Sequence, residues 1–207
     1  MQYQPGQFEK FSRYGRVAQA SFMALFSSQM NPITFMLDFY IYPLVIFISV
    51  GFGVYGTAQE PLWHGPALFL ASFICWTLVE YFMHRYIFHH LPGVMGLHLA
   101  HHKDADEMIG TPTLLSLALI FGLAYLPMVL LIGEYNACFW FAGMCAGYLA
   151  FGGIHFIVHH FDNIEYAFVR KLKRAHAIHH YGKMDYNFGV TTLFWDRVFG
   201  TYSDKMR

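Results

Sequence analysis

Four stretches of this chain, residues 33–55, 67–83, 114–132 and 137–158, are apolar over roughly the length that a helix needs to cross a bilayer. That feature restricts the possible folds more than any other. Hydrocarbon offers no water to backbone N–H and C=O groups, so a spanning segment must satisfy them internally, and a helix does so unaided. The composition agrees, with 56% hydrophobic and only 13% charged residues. The expectation is an all-α integral membrane protein of four transmembrane helices. Formal net charge is zero, which provides no general basic field and argues against nucleic acid as a partner.

The basic residues fix the orientation. Lys10, Arg13 and Arg16 precede the first span, Arg85 and Lys103 lie between the second and third, and the other eight of the 13 follow the fourth. The remaining two loops have none. The positive-inside rule therefore places both termini and the loop after span two in the cytoplasm. Only Gly133, Glu134, Tyr135 and Asn136 separate spans three and four, a tight helical hairpin. Gly143, Gly147, Ala150 and Gly153 in the fourth span have the small-residue spacing that lets membrane helices approach.

One domain over 1–207 is expected, with residues 1–32 as an interfacial N-terminal segment and 161–207 as a cytosolic cap and C-terminal segment. Phe161, Ile164, Phe168 and Leu172 recur at helical spacing beside Arg170, Lys171, Lys173 and Arg174, which describes an amphipathic helix on an anionic leaflet. The first thirty residues lack the uninterrupted apolar run and cleavage site of a signal peptide. Gly51, Gly53 and Gly56 match GxGxxG but sit inside a span and follow no strand, so no nucleotide site is read there. Cys75, Cys138 and Cys145 lie in apolar stretches without a CxxC pair and read as packing residues.

The chemistry is carried by histidine. Twelve of 13 fall in four groups: His84, His89 and His90; His98, His101 and His102; His155, His159 and His160; His176, His179 and His180. His64 stands alone and reads as an ordinary hydrogen-bonded residue. The topology gathers all four groups at one membrane surface. Residues three and four apart share a helix face, so each of the second and fourth groups can present its imidazoles to a common centre, as can His155 and His159. His84 and His89 are five apart, about 140° beyond a full turn of ideal helix. Either they serve different metals or the helix distorts, and Pro92 makes distortion plausible.

Setting aside His90 and His160 as adjacent, supporting residues leaves ten ligands, too many for one ion and suited to two. Imidazole accommodates zinc, iron and copper. There is no HExxH motif of a hydrolytic zinc site, and an imidazole-rich pair of irons near lipid fits oxygen activation better, because alkyl C–H cleavage needs a redox-active metal. Glu80, one turn before His84 in an apolar span, is placed to accept an imidazole N–H. Tyr181, Asp185 and Asn187 either do likewise or form a solvated turn ending at Gly189.

The succession HRYIFH, HLAHH, HFIVH and HAIHH, followed by NFGVTTLFWDRVFGTY, resembles the fatty acid hydroxylase superfamily, which includes sterol desaturases. Within it the pattern is most similar to the fatty acid 2-hydroxylases, over about residues 78–202. The resemblance implies a four-helix membrane anchor, in a bacterial inner membrane or the endoplasmic reticulum, capped by a cytosolic helical, histidine-rich di-metal site. It implies two iron ions, with zinc possible as purified, O₂ as co-substrate, and a lipid in the bilayer as substrate. The ligands it implies are His84, His89, His98, His101, His102, His155, His159, His176, His179 and His180. Eukaryotic 2-hydroxylases often carry a fused haem domain for which this chain has no room, so a separate ferredoxin- or cytochrome-like electron donor is expected. Arg85, Trp195 and Asp196 are motif members whose plain reading is docking of the C-terminal segment. The alternatives are a sterol or carotenoid hydroxylase or desaturase, and a non-enzymatic membrane metal-binding protein.

Overall fold

The computed structural model describes residues 32–92, 94–105, 110–182 and 184–206. Among them there is no strand. A short helix α1 (Pro32–Met36) leads into α2 (Asp38–Gly56), followed by α3 (His64–Phe88), α4 (Val94–Lys103), α5 (Thr113–Ile132), α6 (Glu134–His160), α7 (Ala167–Tyr181) and α8 (Phe194–Val198). Four of these, α2, α3, α5 and α6, are long and apolar enough to span a membrane. The interfacial segment expected before residue 32 lies outside the described residues.

The bundle is apolar on the outside. Phe47, Leu123 and Leu130 are 77% to 87% exposed, the arrangement that hydrocarbon solvates and water does not. Between the helices sit small and polar side chains, including Ser49, Ser72, Thr77 and Ser116. The central helix α6 packs mainly on α3 and α2. A methyl group at Gly143 would collide with the Ser72 side chain and the Phe69 carbonyl, and one at Gly147 with Trp76. These two positions of the small-residue stripe thus bring α6 against α3. Gly153 makes no comparable approach, since a methyl group there would meet only Phe39, at an ordinary 3.5 Å. Gly53 and Gly56 of the GxGxxG match pack against Phe139 and Tyr135 of α6, which gives these glycines a helix-packing role. All three cysteines are free, and Cys145 is buried in the core with Tyr42, Phe141 and Met144.

Two boundaries differ from the sequence reading. The second span, read as the shortest, is a 25-residue helix that runs on through His84 to Phe88. Hydropathy stops at the first polar residues, whereas the backbone hydrogen-bond ladder does not. The hairpin between α5 and α6 needs only Gly133, whose φ of 82° is open to glycine and strained for other residues. His64 hydrogen-bonds Asn136 across the far end of the bundle, Nε2–H donating to Oδ1 at 3.0 Å, as its isolated position suggested.

The cap packs on the other end. The helix α7 begins at Ala167, so Phe161 and Ile164 precede it, and Phe168 is exposed while Leu172 is buried. Its apolar face turns inward, with Leu172 and Ala175 against Val158 of α6 and Leu193. Arg170, Lys171 and Arg174 stay on the exposed face.

Candidate metal centre

Both α3 and α6 run toward the cap, and each delivers histidines from its last turns. Helices α4 and α7 deliver the rest. The ten expected ligands come together as two sets of five: His84, His89, His98, His102 and His179 in the first, His101, His155, His159, His176 and His180 in the second. Each triplet is thereby divided. In α4, His98 and His102 serve the first set while His101 turns to the second; in α7, His176 and His180 serve the second while His179 turns to the first. Residues four apart differ by only about 40° around a helix, whereas the residue between them lies well to one side. The common centre expected for each triplet is therefore replaced by two, and α4 and α7 straddle both.

His84 and His89 belong to one set because the helix distorts between them. Residues Met83–Phe88 form a π-helical turn, in which the repeat is i to i+5, so a spacing of five brings side chains onto one face. The rings stack with centroids 5.3 Å apart. The distortion lies before Leu91 and Pro92, inside the helix, and not at the proline.

The nitrogen geometry fits an ion in each set. In the second, His155 Nε2 stands 3.1 Å from Nε2 of His101, His159 and His176. A ring nitrogen carries one proton or one lone pair in its plane, so hydrogen bonding cannot satisfy three such neighbours. Imidazole nitrogens that shared an ion at about 2.0–2.1 Å would stand roughly 3–3.5 Å from their neighbours. In the first set the closest Nε2 pairs are 2.9 to 3.1 Å apart, and in both sets all five ligand atoms lie within 4.8 Å of one another. The sets abut where the His102 and His180 rings stack, centroids 4.1 Å apart and 2° from parallel.

Burial keeps the imidazoles neutral. Desolvation, helped by neighbouring imidazoles, pushes His89 down to about 4 and His102 down to about 3, and lowers His98, His176, His179 and His180 from their ordinary 6.5. Neutral imidazole is the form with a lone pair to offer a metal.

The backbone selects the tautomer of two ligands. Phe188 O is 2.6 Å from His84 Nδ1, and Tyr186 O is 2.8 Å from His179 Nδ1. A carbonyl only accepts, so each Nδ1 carries the proton and each Nε2 keeps its lone pair. Both residues are in the first set. Among the described residues His102 Nδ1 of the first set has no hydrogen-bond partner, nor in the second have His176 Nδ1 and both ring nitrogens of His180, and a cavity of about 220 Å³ opens beside His159, His176 and His180, lined also by Asp162, Lys173 and Tyr181.

The polar neighbours take other places than the sequence suggested. Glu80, 3% exposed, does not accept an imidazole proton; its carboxylate accepts Val190 N–H at 2.6 Å, Thr191 N–H at 2.8 Å and the Thr191 hydroxyl at 2.7 Å. Asn187 is buried, not on a solvated turn. Its φ is 58°, its Nδ2 donates to Ala175 O and Ser203 O, and its Oδ1 accepts Ser203 N–H. Tyr181 and Asp185 are exposed; the Tyr181 ring is tilted against His180, centroids 5.8 Å apart, and the charge of Asp185 acts on His89. His90 and His160 are exposed and belong to neither set.

The C-terminal motif docks as its plain reading had it. Trp195 Nε1–H donates to Thr77 Oγ1 at 2.9 Å, and Arg85 donates to the Tyr81 hydroxyl, which pairs with Thr201 Oγ1 at 2.9 Å. Sequence reasoning gave Asp196 no chemistry beyond docking. It is fully buried and accepts Phe188 N–H, Gly189 N–H and the Thr201 hydroxyl, each at 2.8 Å.

A family model described as fatty acid hydroxylase matches residues 69–201. The chain is 31% identical over 192 residues to a ceramide very long chain fatty acid hydroxylase of Schizosaccharomyces pombe, covering 86% of this chain and 54% of that protein. It is 31% identical over 152 residues to human fatty acid 2-hydroxylase, covering 68% and 40%. The chain thus spans about half the length of the first relative and two-fifths of the second. A solved structure of full-length Scs7p, in which only the hydroxylase domain is visible, superposes with a TM-score of 0.72 at 31% identity, covering 82% of this chain and 67% of that one.

Proposed function

This chain belongs to the fatty acid hydroxylase family, and from that premise we propose that it is an oxidoreductase that hydroxylates the hydrocarbon chain of a fatty acyl lipid, using two iron ions and O₂. The pair of five-imidazole sets carries the reading. The ligands are the ten histidines of those sets. When bound, the iron pair supplies the redox chemistry for cleaving an alkyl C–H bond, which no side-chain acid or base provides. Zinc suits the same donors and would occupy them in protein purified without added iron.

The chain's own residues do the rest. His84 and His179 hold their protons at Nδ1 and keep Nε2 free for metal. Depth favours carbons near the lipid headgroup. A 27-residue helix such as α6 is about 40 Å long, more than the hydrocarbon thickness of about 30 Å, so its last turns, with His155 and His159, approach the interface. The 2-position named for the human relative lies at that level of an acyl chain. The single functional unit is taken as 1–207. Basic residues on one side of the spans support a cytoplasmic site, in a bacterial inner membrane or the endoplasmic reticulum, and a separate ferredoxin- or cytochrome-like donor supplies electrons.

The test is anaerobic expression with iron, followed by metal stoichiometry and mass spectrometry of lipids after O₂ and reductant are supplied. About two irons per chain and a lipid gaining one oxygen are expected. A lipid losing two hydrogens would make the protein a desaturase. Tight zinc with unchanged lipids would leave a non-enzymatic metal-binding protein.

A further inference from the structure

We infer that Glu80 and Asp196 are positioning residues for one of the two metal centres only, acting through the loop 186–191. The inference rests on the reading of the two histidine sets as metal centres.

The loop is gripped from three sides. Glu80 holds the N–H groups of Val190 and Thr191. Asp196 holds those of Phe188 and Gly189. Asn187 ties the loop to α7 through Ala175 O, and its own N–H donates to Thr201 O at 2.8 Å. Two carbonyls of this loop, Tyr186 O and Phe188 O, take the Nδ1 protons of His179 and His84. Spacing explains the match. Glu80 and His84 are one helical turn apart, about 6 Å, and the groups they meet, Val190 N–H and Phe188 O, lie two residues apart in the loop. One helix face therefore meets the loop at two points, carboxylate to N–H and imidazole to carbonyl. The Phe188 residue is the shared element, its N–H on Asp196 and its C=O on His84.

Both carboxylates are almost or wholly buried, a cost that hydrogen bonding must offset. Among the described residues, their hydrogen bonds go to the loop and the C-terminal segment and none to an imidazole. Their influence reaches His84 and His179, both in the first set. The two loop carbonyls that take Nδ1 protons both serve the first set, whereas among the described residues His176 Nδ1 and both ring nitrogens of His180, in the second, have no hydrogen-bond partner.

The pattern of donors makes the two isosteric substitutions differ. In Glu80→Gln the oxygen that takes both N–H groups can remain, and the new amide faces the Thr191 hydroxyl, which can rotate to accept it. In Asp196→Asn each oxygen faces a backbone N–H, so the amide opposes a donor whichever way it is turned.

The experiment uses the full chain, loaded with iron anaerobically and held against a competing chelator, with metal per folded chain as the readout. Asp196→Asn and Glu80→Ala are expected to weaken one ion about 10- to 100-fold while the other is unchanged, and Glu80→Gln to behave as the parent chain. Adding Asp196→Asn to His155→Ala should weaken the remaining ion by the same factor; adding it to His84→Ala should change nothing further. Equal weakening of both ions, no weakening, or an Asp196→Asn effect that persists in full in the His84→Ala background overturns the inference. A parent chain that holds no pair of ions overturns the reading of the centres instead, and is seen before any variant is compared.

Discussion

The two histidine sets have equal numbers and similar spacing, yet they are built differently. The second takes two pairs of residues four apart, His155 with His159 and His176 with His180, and adds His101. Four of its five ligands are aligned by regular helix alone. The first has a single pair of that kind, His98 with His102; its other members are His84 and His89, joined across a π-helical turn, and the lone His179. Two of its rings, His84 and His179, are also oriented from outside the helices, by the carbonyls of Phe188 and Tyr186. Where helix periodicity supplies the geometry, little else is needed. Where it does not, an irregular loop and two buried carboxylates complete it.

Loss of a single ligand tests whether both sets are metal centres. His179→Ala should abolish lipid hydroxylation and release one ion, and His176→Ala should do the same to the other. Full activity in either variant would remove that residue from the site.

The π turn gives a sharper test. Such a turn is an α-helix carrying one extra residue. Deleting exposed Tyr86 should leave His84 and His89 four apart on a regular helix and retain the first ion. Inserting Ala after Tyr86 should rotate everything beyond it by about 100° and lose that ion alone. Metal analysis of the two variants reads the difference, and equal outcomes would show that the turn does not set the register.

In the loop, a methyl group at Gly189 would collide with the Thr192 carbonyl and stand 2.8 Å from Asp196 Oδ2. Gly189→Ala should cost about 1–3 kcal/mol by overpacking, seen as a lowered Tm, with the first ion weakened more than the second.

Acid should act on the metal-free protein. Unfolded histidine takes up its proton near the ordinary 6.5, whereas His89 and His102 in the fold wait until about 4 and about 3. Between those values the unfolded chain binds more protons, so stability falls as pH drops from about 6.5 through 3. Thermal melts of metal-free protein at stepped pH check the sign, and a flat profile would contradict it. Smallest is Trp195→Phe, which removes one hydrogen bond to Thr77 and should cost about 0.5–1.5 kcal/mol with both ions retained.

Much of this protein follows from local sequence. Long apolar runs are satisfied in hydrocarbon by helices, so the four spans are legible, and ligand-rich helices are legible because spacings of three and four have a fixed meaning on a helix. Both depend on residues near one another in the chain. Which centre each histidine serves was not legible, because the division of the α4 and α7 triplets depends on how those helices are rotated against α3 and α6. Nor were the roles of Glu80 and Asp196. Their partners Val190, Thr191, Phe188 and Gly189 are backbone N–H groups, which every residue except proline possesses and which no side-chain pattern marks. A buried carboxylate announces that it needs donors. Only the tertiary structure, by folding residues 186–196 back over the end of α3, decides which donors those are.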